Sequence, residues 1–236
     1  MNSRLLFLVV IVTSLLTASI SAAHFLLNLN VRILHIEHVD DGLSVYLRLP
    51  MPYLVADKLG PEGSDGDPEP APYTINARED GKLVHYLDPE QLRNDPAGLG
   101  LIAADGHILN IGGKDLTPKI VNVAAHKRGE EPSFATLEEA KDSLAGDGNI
   151  PDDPAPYVGD TVIDIHAIYS TEAPVNEYTI RSDLDPGLPG QEETANLIID
   201  YGSGEPKIFR SRGLMLEPVP VSASQLSAIR TFIEQG

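Results

Sequence analysis

The chain has no cysteine among its 236 residues, which excludes a disulfide framework and any site built on a thiolate. Basic residues are scarce, because 17 lysines and arginines stand against 35 aspartates and glutamates, and the formal net charge is -18. This charge disfavours nucleic acid and anionic membrane surfaces as partners, since both repel an acidic protein. The sequence also lacks a Gly-x-Ser-x-Gly elbow, a phosphate-binding glycine loop and a His-Glu-x-x-His pair. The residues alone therefore identify no reaction.

Residues 1–23 have the pattern of a secretory signal peptide. Arg4 precedes an apolar run over residues 5–16, and small residues close the segment at Ala23. The run is too short for a membrane anchor, which needs about 20 apolar residues. We expect cleavage after Ala23 and an extracytoplasmic domain over residues 24–221, in the periplasm or on the outer side of a bacterial membrane. The absence of cysteine and the acidic charge suit such a bacterial location.

Alternating apolar and polar residues predict a β-hairpin at the start of this domain. Every second residue is apolar over 27–33 and again over 43–49, and the turn signal Asp40-Asp41-Gly42 lies between them. The parity of the apolar positions shifts at Leu34 and Ile36. A shift of this kind predicts a β-bulge or a bend in the first strand.

The rest of the domain is predicted as short strands, loops and a few helices. Acidic segments rich in glycine and proline, at 60–72 and 146–156, are expected to be exposed loops. A helix is expected over 133–144, and Thr136 with Glu139 forms its best capping pair. A short helix is expected over 53–59, and strands over 81–86, 106–111, 119–125, 161–169, 177–182, 196–201 and 206–211. Together these elements predict a mainly β fold, an antiparallel β-sandwich with helical insertions.

Three groups of residues raise the question of a metal site. Cleavage would leave His24 with a free amine beside its imidazole, and together these nitrogens can chelate copper. An unliganded terminus is the simpler interpretation. His35 and His38 are three residues apart and should point to opposite faces of a strand, whereas Asp164 and His166 should share one face. Ordinary solvated side chains are the favoured interpretation for both pairs.

Two further interpretations stay open at this stage. Residues 147–153 have the oxygen-rich composition of a calcium loop, but they lack EF-hand spacing and are interrupted by Pro151, so a plain acidic loop is favoured. A secreted hydrolase is also conceivable, because serine, histidine and aspartate all occur and a catalytic triad is defined by geometry, not by sequence order.

The last residues predict an amphipathic helix over 222–236, capped by Ser222 or Ser224. Its apolar stripe consists of Leu226, Ile229, Phe232 and Ile233. Docking of this stripe on the sandwich is one interpretation. A segment that leads towards a membrane span is the other, because the apolar face is still strong at the final residues.

Four stretches of the chain resemble the HupE/UreJ-like membrane proteins, a family linked to hydrogenase and urease accessory functions and to nickel transport. They are Ala23-His24, LRLPMPYL at 47–54, LIIDYGSGEPKIF at 197–209 and RTFIEQG at 230–236. In the family, the last stretch is similar to the amphipathic helix before the first membrane span.

The resemblance implies a non-enzymatic extracytoplasmic domain of a membrane protein truncated before its spans. Its partners would be membrane helices of the same family type, and no cofactor is expected. The family's span with histidine and aspartate residues has no counterpart up to Gly236, so no catalytic, binding or metal residue is assigned. The alternatives are a soluble periplasmic metal-binding protein that uses His24 and a secreted hydrolase.

Overall fold

A computed structural model describes residues 30–64, 66–145, 150–151, 154–203 and 205–222. The predicted signal peptide, His24, most of the acidic loop 146–156 and the tail that follows Ser222 lie outside the described residues. The predictions made for those segments are therefore not addressed by the structure.

Strands dominate the described residues. They are β1 (Val31–Val39), β2 (Gly42–Pro50), β3 (Thr74–Glu79), β4 (Lys82–Leu87), β5 (His107–Ile111), β6 (Lys114–Asp115), β7 (Pro118–Lys127), β8 (Thr161–Ser170), β9 (Glu177–Ser182), β10 (Ala195–Asp200), β11 (Lys207–Arg212) and β12 (Val219–Ser222). One sheet has the strand order β11-β10-β1-β2-β8-β7, a second has the order β12-β9-β5-β6, and β3 pairs with β4. The mainly β fold is confirmed. Neighbouring strands in these sheets pair in antiparallel fashion, except for β1 and β10, which run parallel.

Four α-helices are described: α1 (Pro52–Val55), α2 (Pro89–Asn94), α3 (Pro96–Asp105) and α4 (Leu137–Ser143). Short 3₁₀ turns occupy Ala56–Lys58, Val158–Asp160 and Gln191–Glu193. Helices α2 and α3 were not predicted, although each begins with a proline after a capping aspartate, at Asp88 and Asp95. Both aspartate side chains accept a backbone N–H of the first turn, so the Asp-Pro pairs were a usable start signal.

Helix α4 begins later than predicted. Thr136 accepts a hydrogen bond from the Glu139 backbone, and the Glu139 carboxylate accepts one in return, so the predicted capping box is confirmed. The predicted start at Ser133 is wrong. Residues 133–136 lead into the helix without helical structure, and Phe134 is buried there.

The predicted bulge in β1 is wrong as well. From Ile33 to Val39 this strand pairs with β2 in unbroken register. Its apolar residues occupy both parities because both faces of the sheet are covered: Leu34 and Ile36 pack in the main core, and Ile33 packs under α4. The register irregularity lies instead in β7, at Val121.

The six-stranded sheet therefore has two differently covered faces. Its inner face packs against the four-stranded sheet, and residues of both sheets share one hydrophobic core, as in a sandwich. Its outer face is partly covered by residues 130–145, which we call the covering segment. A smaller apolar cluster joins this segment to the sheet and consists of Tyr46, Ala124, Phe134, Ala140 and Leu144.

Candidate functional site

The outer face of the six-stranded sheet carries polar side chains at the centre of the sheet, where apolar ones are usual. We call this group the outer polar layer; it consists of His35, Ser44, Arg48, His126, Asp164 and His166. Period-two alternation along β1, β2, β7 and β8 directs these side chains to the same face. The covering segment encloses much of the layer. The hydrogen-bond partners and protonation states of these side chains therefore decide what chemistry the layer can perform.

Arg48 and Asp164 form a two-pronged ion pair in the middle of the layer. Arg48 donates from Nε to Oδ1 and from Nη2 to Oδ2 of Asp164, both at 2.6 Å. His126 donates to the same carboxylate at 3.0 Å. Burial by itself would raise the pKa of Asp164, but the hydrogen bonds from Arg48 and His126 outweigh it and hold that pKa below its ordinary value. The aspartate is therefore a buried anion with a matched cation.

The same arginine fastens the covering segment to the sheet. Its Nη1 donates to the carbonyl of Pro132 at 2.7 Å, and its guanidinium lies 4.3 Å from the centre of the Phe134 ring. Lys141 of α4 adds an ion pair with Glu37 at 2.8 Å. Arg48 thus joins two strands and the segment that covers them.

His35 contributes a further link to the covering segment. Its Nε2 donates to the carbonyl of Phe134 at 3.0 Å, which requires a proton on that nitrogen. Its Nδ1 then accepts from the hydroxyl of Tyr201 at 2.9 Å. Burial lowers the pKa of His35, so the imidazole is neutral at neutral pH and both of its nitrogens have partners.

Ser44 and His166 make the contact that resembles a hydrolase most closely. Ser44 Oγ lies 2.8 Å from His166 Nε2, and the imidazole stacks on Tyr46 with ring centres 4.3 Å apart. Burial lowers the pKa of His166, which favours a neutral ring, and the tautomer of that ring sets the direction of its hydrogen bond with Ser44. Within the described residues no carboxylate is hydrogen-bonded to His166. Ser44 also lies in the central strand β2, which pairs with β1 on one side and with β8 on the other. The pair thus has the nucleophile–base contact of a triad without the orienting acid.

A second polar cluster lies on the inner face, at the far end of β1. Asp200 accepts hydrogen bonds from His38 Nε2 at 2.8 Å, from the Tyr178 hydroxyl at 2.7 Å and from the Gly202 backbone at 3.0 Å. His38 Nδ1 lies 2.9 Å from the carbonyl of Val175. Because both ring nitrogens face acceptors, both must donate, and His38 is an imidazolium.

The protonation states of this cluster agree with its geometry. The hydrogen bond to Asp200 raises the pKa of His38 above its ordinary value. Burial alone would raise the pKa of Asp200, but its three hydrogen-bond donors outweigh burial and lower that pKa. Both shifts favour the ionised forms of His38 and Asp200, and the pair links β1, β9 and β10.

The predicted orientations of the histidines are confirmed, but their predicted exposure is not. His35 and His38 point to opposite faces of β1, and Asp164 and His166 share one face of β8. The expectation of solvated side chains is wrong: His35 and Asp164 are fully buried, and all four residues have partners. The reason is that β1 and β8 are central strands with cover on both faces. In the portion of the chain that is described, no three His, Asp or Glu side chains could hold one metal ion.

The acidic loop 60–72 borders a cleft of about 530 Å³ beside the β3–β4 hairpin. Its lining includes Asp67, Glu69 and Arg78. Arg78 binds Asp67 through Nε at 3.0 Å and through Nη2, so two of these charges neutralise each other. The loop is mostly exposed, as predicted, although Ala71 packs in the core. The cleft is shaped by an internal ion pair and has no cluster of catalytic groups among the residues described.

Sequence patterns did not reveal the partners in either cluster. Arg48 and Asp164 lie 116 residues apart, and His38 and Asp200 lie 162 apart. The one available signal was a charged residue inside a strongly alternating strand, as for Arg48 in β2. Such a position indicates burial or function, but it does not name the partner.

No known protein-family profile matches the chain, and no curated protein matches it. None of the helices that the structure describes has the length and apolar character required to cross a bilayer. Function must therefore be inferred from the two clusters and from the sequence features outside them.

Proposed function

We propose that this chain is a non-enzymatic, exported domain of the HupE/UreJ-like type that acts at the outer side of a bacterial membrane. One observation carries the non-enzymatic part: four acid–base groups of the central strands are saturated by internal partners. His35 and His38 each use both ring nitrogens, and Asp164 and Asp200 each accept from several donors. Groups held in this way join structural elements, and they are poorly placed to exchange protons with a substrate.

Export is supported by the leader pattern of residues 1–23 and by the type of fold. A two-sheet domain with a shared core is stable through burial and needs no disulfide. The described domain ends with β12, where Lys207 donates to the carbonyl of Ser222 at 3.3 Å.

Export can be tested by expressing the full chain in a bacterium and measuring its mass after cell fractionation. We expect a processed protein that starts at His24 and that protease reaches in spheroplasts. An A23R variant should stay unprocessed, because small residues are required at the cleavage site. Wild-type protein that remains full-length in the cytoplasm would overturn the exported location.

The family relation can be tested by reading the encoding gene beyond the codon for Gly236. We expect an open frame that continues into apolar spans containing histidine and aspartate. A stop codon at that point would contradict the membrane-anchored part of the proposal and would favour a free exported protein.

A serine hydrolase is the second candidate, and the 2.8 Å contact between Ser44 and His166 is the observation that favours it. A fluorophosphonate reagent labels activated serines, so it tests this candidate directly. We expect no labelling of the folded protein, because the described structure supplies no orienting acid. Labelling that disappears in Ser44→Ala but persists in Ser203→Ala would overturn the non-enzymatic proposal.

A further inference from the structure

Arg32 is fully buried on the inner face, near the start of β1, and it has no acidic partner among the residues that the structure describes. Its Nη1 donates to Ser182 Oγ at 2.9 Å and its Nη2 to the carbonyl of Gly213 at 3.3 Å. The guanidinium lies 4.8 Å from the centre of the Tyr53 ring. Burial lowers the pKa of Arg32 to about 10, so it is still a cation at neutral pH. A buried cation without a counter-charge is unfavourable.

The unsatisfied part of Arg32 is the edge formed by Nε and Nη2. Its Nε has no hydrogen-bond partner within the described structure, and the bond from Nη2 is long. The same edge of Arg48 and of Arg78 holds a carboxylate through two parallel bonds. This edge of a guanidinium matches the spacing of two carboxylate oxygens.

Two neighbouring residues extend this unsatisfied edge towards the border of the sheet. Asn196 lies beside Arg32 on β10, and Ser211 lies beside Asn196 on β11. Asn196 donates to the Gly213 carbonyl at 2.8 Å, the same oxygen that Arg32 reaches, so the two side chains converge. Among the described residues, Asn196 Oδ1 and Ser211 Oγ are buried atoms without a partner, like Arg32 Nε.

One end of this row lies close to solvent. Arg32 and Asn196 are buried, whereas Ser211, on the edge strand β11, is half-buried. The connection after β11 begins at Gly213 and forms the wall beside the row; Gly213 and Leu214 are half-buried too. Movement of this connection would admit a small molecule to the Arg32 edge.

We propose that the row Arg32, Asn196 and Ser211 binds a small carboxylate. The two carboxylate oxygens accept from Nε and Nη2 of Arg32, and this replaces the long bond to Gly213. A hydroxyl next to the carboxylate donates to Asn196 Oδ1, so a small hydroxy acid suits the row better than a simple acid. The inference goes beyond the proposed function, because it holds whether or not the domain is exported.

The test uses the mature protein, refolded from urea to remove any bound molecule. Sodium glycolate, sodium acetate or sodium chloride is added at equal ionic strength, and the arginine Nε–H signals are followed by NMR. The Arg32 signal is assigned by its loss in Arg32→Met. We expect a saturable shift with both carboxylates, with glycolate about three to ten times tighter, as one added hydrogen bond predicts. No shift, or an equal shift with chloride, would overturn the proposal.

Three variants complete the test by calorimetric titration. Arg32→Lys keeps the charge but lacks the two-pronged edge, so binding should be lost. Asn196→Leu should bind both ligands with similar affinity, because the acceptor for the hydroxyl is gone. Arg210→Met, which removes an exposed arginine of β11, is the matched control and should bind as the wild type does. Undiminished binding in Arg32→Lys would place the ligand elsewhere and overturn the proposal.

Discussion

Arg48 and Arg32 lie on adjacent strands of one sheet and point to opposite faces, and they are buried in different ways. Arg48 is register partner to Ile33, the residue that follows Arg32, so the two arginines are close neighbours along the backbone. On the outer face Arg48 binds Asp164 with two bonds of 2.6 Å. On the inner face Arg32 contacts a hydroxyl, a carbonyl and an aromatic ring. The partner, and not the burial, distinguishes them.

This difference teaches that a buried charge has no fixed effect on stability. Removing one member of an ion pair leaves its partner as an uncompensated charge in the protein interior. Removing a charge that has no counter-charge leaves no uncompensated charge in the interior. Truncation of the two arginines should therefore change the free energy of unfolding in different directions.

The largest effect is expected for Arg48→Met. This change leaves the Asp164 carboxylate buried with only His126 as a partner, and it releases the carbonyl of Pro132. We expect the free energy of unfolding to fall by about 3–5 kcal/mol, measured by urea denaturation.

The double variant Arg48→Met/Asp164→Leu provides the control. It removes the stranded carboxylate together with the arginine, so it should recover much of the lost stability. A double variant as unstable as Arg48→Met would show that packing, and not the unpaired charge, explains the loss.

The free energy of unfolding of Arg32→Met, measured without added carboxylate, tests the other arginine of the comparison. Its former partners keep other bonds: Ser182 donates to Gly106, and the Gly213 carbonyl still accepts from Asn196. We expect a free energy of unfolding that is unchanged or higher, by at most about 4 kcal/mol, because an unpaired buried cation is replaced by an apolar chain of similar length. A loss similar to that of Arg48→Met, by the same denaturation assay, would contradict the distinction.

The His38–Asp200 pair extends the comparison to a cation that titrates. The pKa of His38 is raised in the folded state, so its stabilising effect is complete below the ordinary histidine pKa near 6.5 and is lost as pH rises through the raised value. Asp200 and Tyr178 are the titratable groups that contact it. We expect wild-type protein to lose about 1 kcal/mol over this rise, measured by urea denaturation at several pH values.

His38→Gln should remove this decline, since glutamine does not titrate. His35 serves as a control whose contribution to stability has the opposite pH dependence, because burial lowers its pKa. Its contribution is present above the ordinary pKa and is lost as pH falls towards the lowered value. Parallel pH curves for wild type and His38→Gln would refute the assigned role of His38.

A local effect, no larger than that of His38, is expected in the covering segment, which lies on the side of Arg48. Thr136→Ala removes the hydroxyl that accepts the Glu139 backbone N–H at the start of α4. We expect a loss of about 1 kcal/mol in unfolding free energy and faster amide exchange in α4. Thr136→Ser keeps the hydroxyl and should behave as the wild type does; equal effects of both variants would exclude the cap as the cause.

Local patterns predicted much of the secondary structure. The hairpin of β1 and β2, the strand Glu177–Ser182 and the capping box at Thr136 are all confirmed. These features depend on residues close in sequence, through alternation, turn residues and short-range hydrogen bonds. Helices α2 and α3 were missed although Asp88 and Asp95 marked their starts.

The candidate sites could not be predicted in the same way. The expected bulge in β1 resulted from assuming one buried face, whereas the covering segment buries the other face too. The parallel pairing of β1 with β10 joins strands that are far apart in sequence, and it places Asn196 beside Arg32. No local pattern contains that information.

The sequence by itself determined that this is an acidic, cysteine-free, mainly β protein with a leader pattern, because composition and short-range periodicity are properties of the chain. Only the tertiary structure decided which charges are paired. Asp164 reaches Arg48, and Asp200 reaches His38, through strand order and through cover on both faces of the sheet. Arg32 has no such carboxylate in the described structure, and the energy of a buried charge depends on that long-range choice of partner.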